Sequence, residues 1–92
     1  MNMETAYLGE SFEQPFTMYD ARDKTKTVDS ATFVVTVGGE TVQSGALAID
    51  EDGHTGSFRF IADNLGVHTI TITWRIGDDV WKMPFLMNVV SP

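Results

Sequence analysis

Apolar and polar residues alternate with a period of two along the C-terminal part of the chain, a period typical of β-strands. In segment 67–76, one face carries apolar residues and a single histidine, whereas the other carries mainly threonine. The first face comprises His68, Ile70, Ile72, Trp74 and Ile76. A second row follows a short polar break and comprises Trp81, Met83, Phe85, Met87 and Val89. The pattern predicts two adjacent strands that share one buried face.

The loop between these strands follows from the same alternation. A two-residue loop at Gly77-Asp78 pairs Trp74 with Trp81 and keeps both apolar rows on one face. A four-residue loop keeps the parity, whereas a three-residue loop places the rows on opposite faces. An even-length hairpin loop is therefore predicted, and the Gly-Asp sequence suits it. Because one hairpin cannot bury its own apolar face, a second layer must cover it.

Segments upstream of the hairpin alternate in the same way and are expected to supply that second layer. Their alternating residues are Phe12, Phe16 and Met18; Phe33, Val35 and Val37; segment 40–44 after the Gly38-Gly39 turn; Leu47 and Ile49; and Phe58 and Phe60. Turn-forming residues at 50–53 and 63–66 separate the later segments. With a short first strand at Thr5–Leu8, the pattern predicts about seven antiparallel strands in a two-sheet sandwich. This all-β fold would be a single domain over residues 1–92.

Two prolines, Pro15 and Pro84, fall inside predicted strands on the face that points away from the core. Proline has no N–H to donate to a neighbouring strand, so within sheets it is confined to edges and bulges. We therefore expect both prolines at a sheet edge or a bulge, where they also oppose edge-to-edge aggregation.

Composition and charge restrict the classes of function. The 92 residues include no cysteine, which excludes disulfides, zinc–thiolate sites and thiol nucleophiles. The formal net charge of −7 repels phosphate, so neither nucleic acid nor an anionic membrane is an expected partner. The first residues lack the basic and apolar regions of a signal peptide, and no apolar run is long enough to cross a bilayer. Synthesis in the cytoplasm is the resulting expectation.

Serine, histidine and aspartate are all present, but not in a pattern that activates a nucleophile. There is no Gly-x-Ser-x-Gly elbow, and Ser57 opens a predicted strand rather than a strand-to-helix turn. His68 shares the apolar parity of its strand, which favours a core or rim position. Because His54 and His68 are the only histidines, a zinc site would need their chance convergence with a carboxylate. The prediction is a non-enzymatic protein without a cofactor.

The sequence Asp-Glu-Asp-Gly at 50–53 resembles the acidic turn of a calcium-binding loop. An EF-hand loop places ligands at its first and twelfth positions. With Gly53 as the loop glycine, those positions fall on Ala48 and Arg59, so the pattern fails at both ends. A hairpin turn is the favoured interpretation, and a weak surface calcium site formed with another loop stays open as the alternative.

Candidate interaction residues come from the predicted loops, because loops on a rigid scaffold usually carry recognition. They are Asp78 and Asp79 at the hairpin tip, and the basic residues Arg22, Lys24 and Lys26. For the basic residues, a solvated loop is the simpler interpretation. The aromatic residues of the hairpin would suit a platform for sugars or stacked bases, but their shared parity with the isoleucines favours the core.

Several motifs, in this order along the chain, resemble those of bacterial and phage immunoglobulin-like domains. They are Gly9-Glu10-Ser11-Phe12, then Asp50-x-Asp52-Gly53-x-x-Gly56-x-Phe58, then Leu65-Gly66-x-His68-x-Ile70-x-Ile72-x-Trp74 before a terminal strand. Where such domains have Gly-x-Tyr near the start of the sixth strand, this chain has histidine in place of the tyrosine. Within the group, the motifs are most similar to small phage virion proteins, such as the N-terminal domain of upper baseplate proteins and head or tail accessory proteins.

The resemblance implies an immunoglobulin-like sandwich that serves as a structural or interaction module of a phage or prophage virion. Its partners would be other virion proteins or further copies of itself, as closed symmetric oligomers. The protein would be made in the cytoplasm and end in the particle. The alternative is an immunoglobulin-like repeat of a bacterial surface adhesin or carbohydrate-binding protein, because the fold serves that use equally well.

Overall fold

The computed structural model describes residues 3–92 and contains no helix in that range. Its strands are β1 (Met3–Tyr7), β2 (Ser11–Thr17), β3 (Ser30–Val37), β4 (Glu40–Ala46), β5 (Ala48–Ile49), β6 (Thr55–Ile61), β7 (Gly66–Ile76) and β8 (Asp79–Val90). The prediction of an all-β fold is confirmed, and the eight strands are close to the seven expected. Met1 and Asn2, which the predicted domain includes, lie outside the described residues.

The strands form two sheets, as predicted, but they are divided differently between them. One sheet has the order β1-β8-β7-β3-β4, and the other has the order β2-β6-β5. The expectation that β3 and β4 belong to the covering layer is wrong, because β3 pairs with β7 in the sheet of the hairpin. Phe33 lies opposite Ile72 and Val35 opposite Ile70, so this pairing buries both apolar rows on one face.

The prediction that all strands are antiparallel is wrong for β1, which pairs with β8 in parallel. The physical reason lies in the turn after β1. The amide of Leu8 donates to Val90 O (2.9 Å), and the amide of Gly9 donates to Ala62 O (2.9 Å). The chain thus crosses from one sheet to the other within two residues, and Gly9 has the left-handed φ of 95° that this crossing uses. A strand that ends in such a crossing cannot form a hairpin with the next strand.

The predicted register of the C-terminal hairpin is confirmed. Trp74 lies opposite Trp81 and Ile70 opposite Phe85, with Gly77 and Asp78 as the two loop residues between Ile76 and Asp79. The β7–β8 pairing continues without a register shift to Gly66 and Val89. All five predicted core positions of β7 are buried. The alternation therefore identified both the buried face and the loop length.

One apolar cluster fills the space between the sheets. It comprises Ala6, Phe16, Met18, Val28, Ala31, Phe33, Val35, Leu47, Phe58, Phe60, Ala62, Ile70, Ile72, Trp74, Ile76, Met87 and Val89. His68 is fully buried beside this cluster, with its ring edge-on to Phe60 at 5.5 Å and its Nδ1 3.0 Å from Gly66 O. The core position predicted for this histidine is confirmed.

Both prolines lie at positions where an N–H group would not have bonded to a neighbouring strand. Pro15 is in β2, the outer strand of the three-stranded sheet. Pro84 is in the part of β8 that has only β7 as a neighbour, because β1 begins to pair at Leu86. The edge positions predicted for both residues are confirmed.

Candidate functional site

Three loops meet at one end of the sandwich: segment 18–29 between β2 and β3, the turn 50–54, and the β7–β8 hairpin tip 77–78. We call this region the loop end. Backbone hydrogen bonds join the loops, because the amide of Met18 donates to His54 O (2.8 Å) and the amide of Val28 donates to Gly53 O (2.8 Å). The amide of Asp29 donates to Arg75 O (2.9 Å), next to the hairpin tip. These bonds make the loop end a fixed surface.

Two side chains strengthen the contact between segment 18–29 and the hairpin. The indole Nε1–H of Trp74 donates to Tyr19 O at 3.0 Å, so a core residue holds the start of the segment. The carboxylate of Asp29 accepts the amide N–H of Gly77 at 2.7 Å, which holds its end against the hairpin tip. Sequence reasoning did not single out Tyr19 or Asp29, because their partners lie 55 and 48 residues away.

The structure brings together two of the predicted interaction residues, Arg22 and Asp79. An Arg22 guanidinium nitrogen lies 3.7 Å from the carboxylate of Asp79, and the guanidinium carbon lies 5.7 Å from the ring centroid of Trp81. The side chains of Arg22 and Asp79 are 77% and 45% exposed. An ion pair this exposed contributes about 1 kcal/mol or less to stability. Both charges are therefore available to a partner, and Asp78 is exposed beside them.

The two lysines of the segment have different surroundings. Lys24 Nζ lies 5.7 Å from the ring centroid of Tyr19. Lys26 Nζ lies 3.9 Å from the carboxylate of Asp20, whose side chain is only 3% exposed. Asp20 also accepts the amide N–H of Arg22 at 2.8 Å. Lys26 thus compensates a buried charge within the loop, whereas Arg22 and Lys24 lie over aromatic rings.

Trp81 is less buried than the sequence pattern predicted. Its parity placed it in the core, but it is only partly buried, and it packs against the cluster from the edge. Its indole Nε1 is shielded from solvent and has no hydrogen-bond partner among residues 3–92. Alternation identifies the face on which a residue lies, whereas the extent of cover depends on the opposite sheet.

In the acidic turn 50–53, the carboxylate of Asp52 accepts hydrogen bonds from the residues that follow it. Asp52 accepts the amide N–H groups of His54 (2.8 Å) and Thr55 (2.9 Å), and the Thr55 hydroxyl (2.7 Å). These hydrogen bonds lower the pKa of Asp52 to about 2, and the bond from the Thr55 amide contributes most. Likewise, the hydroxyl and amide of Thr25 hold the pKa of Asp23 below its usual value. The turn is thus organised by its own donors.

Among residues 3–92, no group of three or more histidine, cysteine, aspartate or glutamate residues is placed to hold a metal ion. The surface of the same range shows no pocket. None of its elements is a helix of the length and apolarity that would cross a membrane. The loop end is therefore the region where the predicted interaction residues and the structure coincide.

Comparison with known proteins shows the fold but not a family. No family model matches the chain, and no curated protein matches it. An engineered protein matches with a TM-score of 0.77 at 13% identity, over 97% of this chain and 18% of that chain. The endo-β-1,4-mannanase from Thermotoga petrophila matches with a TM-score of 0.69 at 12% identity, over 97% and 18% of the two chains.

An endo-fucoidan hydrolase of glycoside hydrolase family 107 matches with a TM-score of 0.54 at 15% identity, over 98% and 13% of the two chains. The present chain thus spans less than a fifth of each of these three proteins. At such identities, the likeness concerns the arrangement of strands. The chain is similar to an all-β segment that occurs within larger proteins.

Proposed function

We propose that this chain is a non-catalytic binding module that contacts another protein through its loop end. The observation that supports this is the convergence of Arg22, from segment 18–29, and Asp79, at the start of β8, beside the partly exposed ring of Trp81. Arginine and tryptophan are the side chains most enriched among residues that dominate binding energy in protein interfaces. The hydrogen bonds of Asp29 and Trp74 fix the loops in advance, which lowers the entropy lost on binding.

The biological setting of the proposal rests on the motifs of the sequence. The resemblance to immunoglobulin-like domains of phage particles favours a structural or assembly role in a virion, with a virion protein or a further copy of the chain as partner. The two-sheet fold is compatible with an immunoglobulin-like sandwich, although many unrelated proteins share such architectures.

Charge reversal at the loop end tests the proposal. The partners to measure are the proteins encoded beside this gene, with capsid and tail proteins first, by biolayer interferometry. We expect Arg22→Glu to weaken binding at least about tenfold. The matched control Arg59→Glu changes the same charge and breaks the same kind of exposed ion pair, with Glu13 on the three-stranded sheet, and should leave binding within about twofold. Equal effects of the two variants, or no binding to any of these proteins, would count against the loop end.

A second candidate is a carbohydrate-binding role, as in the surface adhesin alternative. Two of the structural neighbours are named as hydrolases of polysaccharides, and in each the matching segment is a small part of the chain. Exposed aromatic rings bind sugars by stacking, and Trp81 presents part of its ring at the loop end. Electrophoresis through gels containing β-mannan or fucoidan would show retardation that Trp81→Leu abolishes. Unchanged mobility in both gels would remove this candidate.

A further inference from the structure

Strand β8 is flanked along nearly all of one side but along only part of the other. On the first side, β7 pairs with β8 from Asp79 to Val89. On the other side, β1 pairs only with the segment Leu86–Val90. No other strand of residues 3–92 pairs with β8. Over residues 3–92, the first half of β8, residues 79–85, therefore has an edge without a neighbouring strand, in line with β1. We call it the free edge.

The backbone groups at this edge can be identified. The amide of Leu8 donates to Val90 O, so the backbone of Val90 faces the side of β1. Successive residues of a strand face opposite sides, and the N–H and C=O of one residue face the same side. Because the β7–β8 register has no shift, Val80 and Lys82 each present an N–H and a C=O at the free edge. Pro84 presents only its C=O.

The core beneath this edge is incompletely covered. Met87 and Val89, in the half of β8 that β1 flanks, are 2% and 1% exposed. Trp81, Met83 and Phe85 have the same inward parity in the other half, but they are only partly buried. Burial of the inward side chains of β8 thus decreases on the N-terminal side of Leu86, where the pairing with β1 starts.

The opposite wall of this opening belongs to β2, the outer strand of the other sheet. The ring of Phe16 meets Phe85 edge-on, with centroids 5.4 Å apart. The outer strand β2 and the part of β8 that β1 does not flank therefore border a partly exposed apolar strip. We call this strip, together with the edge Val80–Phe85, the open seam.

We propose that the open seam binds an extended strand of another protein, which adds to the free edge of β8 in line with β1. Strand addition explains both observations at once, because the incoming backbone would pair with Val80 and Lys82 while alternate side chains cover Trp81 and Met83. The outward side chains of the incoming strand would lie beside Lys82, whose Nζ is held by the Thr73 hydroxyl at 3.0 Å. Opposite charges on neighbouring strands attract, so the partner segment has apolar residues at alternate positions and an acidic residue facing outward.

A second copy of the chain fits this edge less well. Antiparallel pairing of two β8 edges about a two-fold axis at Lys82 would place the two ammonium groups opposite each other, which is unfavourable. The net charge of −7 adds repulsion between whole chains.

Three further outer strands carry features that oppose strand addition. β4 has a bulge at Val42, because Val35 pairs with Gln43 and Thr36 with Thr41. β2 carries Pro15 within its pairing with β6, and β5 has only two residues. The proline of the open seam, Pro84, lies near one end of the free edge and leaves the N–H groups of Val80 and Lys82 available. Bulges, prolines and very short strands are devices that oppose pairing at an edge. Compared with these three strands, the open seam combines free backbone donors with partly exposed apolar side chains.

A synthetic peptide provides the test. The probe has valine at alternate positions, threonine between them and one central glutamate, and the control peptide has the same composition in scrambled order. Amide hydrogen exchange and chemical shifts are followed by NMR in the full chain. We expect the alternating peptide to slow exchange at the Val80 and Lys82 amides and to shift the Trp81 indole resonance. The scrambled peptide should do neither.

Two substitutions at one position separate the backbone from the side chain. Lys82→Pro removes the edge N–H without removing a β7 hydrogen bond, and should weaken peptide binding at least about tenfold. Lys82→Thr keeps the N–H and removes only the charge, and should weaken binding by about threefold or less. Circular dichroism and thermal unfolding establish that each variant is folded. If Lys82→Pro does not fold, the exchange rates in the unmodified chain decide the question.

The proposal is overturned if millimolar peptide leaves the Val80 and Lys82 amides unprotected, or if the protected amides lie in β4. Protection of those amides in the free protein, by a second copy or by the chain's own residues, would also overturn it. The open seam and the loop end meet at Trp81, but the two experiments concern different groups: the backbone amides of Val80 and Lys82 at the seam, and the Arg22 side chain at the loop end. Loss of binding in Arg22→Glu alone would therefore leave the open-seam proposal unaffected, and its own failure would leave the loop-end proposal standing.

Discussion

The amide N–H of Ile61 donates to the side-chain Oε1 of Gln43 at 3.4 Å, although the two residues belong to different sheets. The Nε2 of the same glutamine donates to Arg59 O. β5 pairs with β6 only at Ser57 and Gly56, so beyond that point no strand of residues 3–92 neighbours β6 on this side. The Gln43 amide therefore satisfies the edge of β6 in place of a strand.

Removal of this amide should loosen one side of the sandwich. We expect Gln43→Ala to lower the free energy of unfolding by about 1 kcal/mol, because the Ile61 N–H and Arg59 C=O lose their partner. The exchange rate of the Ile61 amide should rise. Gln14→Ala is the matched control, since Gln14 hydrogen-bonds only to the adjacent Pro15 O at 3.2 Å. Equal changes in the two variants would show that Gln43 has no special role.

The contact between Asp29 and Gly77 should stabilise the hairpin tip. The Asp29→Ala variant leaves the Gly77 amide without its acceptor and is expected to lose about 1 kcal/mol in chemical denaturation. Asp29→Asn retains an acceptor oxygen and should lose less. Because this contact also holds segment 18–29 in place, NMR shifts in Asp29→Ala should extend to Arg22. If the two variants are equally stable, the hydrogen bond does not contribute.

The hydrogen bonds of Asp52 should make stability depend on pH. The pKa of Asp52 in the folded protein is lowered from 3.8 to about 2, so folding favours its ionised form. Its contribution is therefore present above about pH 4 and disappears as the pH falls towards about 2. The melting temperature of the wild type should exceed that of Asp52→Asn above about pH 4, and the difference should shrink below it.

A control for the same turn is Asp50→Asn, which removes one negative charge but none of the hydrogen bonds to Asp52. A difference in melting temperature between wild type and Asp52→Asn that is constant from neutral to acid pH would contradict the assignment.

Gly56 is required by packing rather than by backbone conformation. A Cβ at this position would lie 2.7 Å from Met18 Cε and 2.9 Å from Leu47 Cδ2, and Met18 is fully buried. Gly56→Ala should therefore destabilise the protein by about 1–3 kcal/mol, although alanine suits a strand better than glycine does. Gly45→Ala should cost less, since its Cβ would meet only the Phe33 ring at 3.3 Å.

A compensating substitution tests the cause of the Gly56→Ala effect. Met18→Leu removes the terminal methyl group that the new Cβ would meet. The double variant should therefore be more stable than the sum of the two single effects predicts, which equilibrium unfolding in urea would show. Additive losses would mean that the contact with Met18 is not the cause.

The sequence by itself determined the elements that depend on neighbouring residues. Alternation with a period of two identified the buried faces of β7 and β8, and the parity of Trp74 and Trp81 selected the two-residue loop between them. The edge positions of Pro15 and Pro84 followed from the missing N–H, and the buried position of His68 followed from its parity. Each of these conclusions needs only local geometry, because strand periodicity and turn length are properties of a few adjacent residues.

Only the tertiary structure decided which strands are neighbours. β3 could be assigned to the wrong sheet, because its apolar row fits either layer until the partner is known. The same holds for β1, whose parallel partner lies more than 80 positions along the chain. The contact of Arg22 with Asp79 and the free edge of β8 are consequences of this arrangement. The physical reason is that side-chain alternation specifies a face to bury but carries no information about which distant strand will cover it.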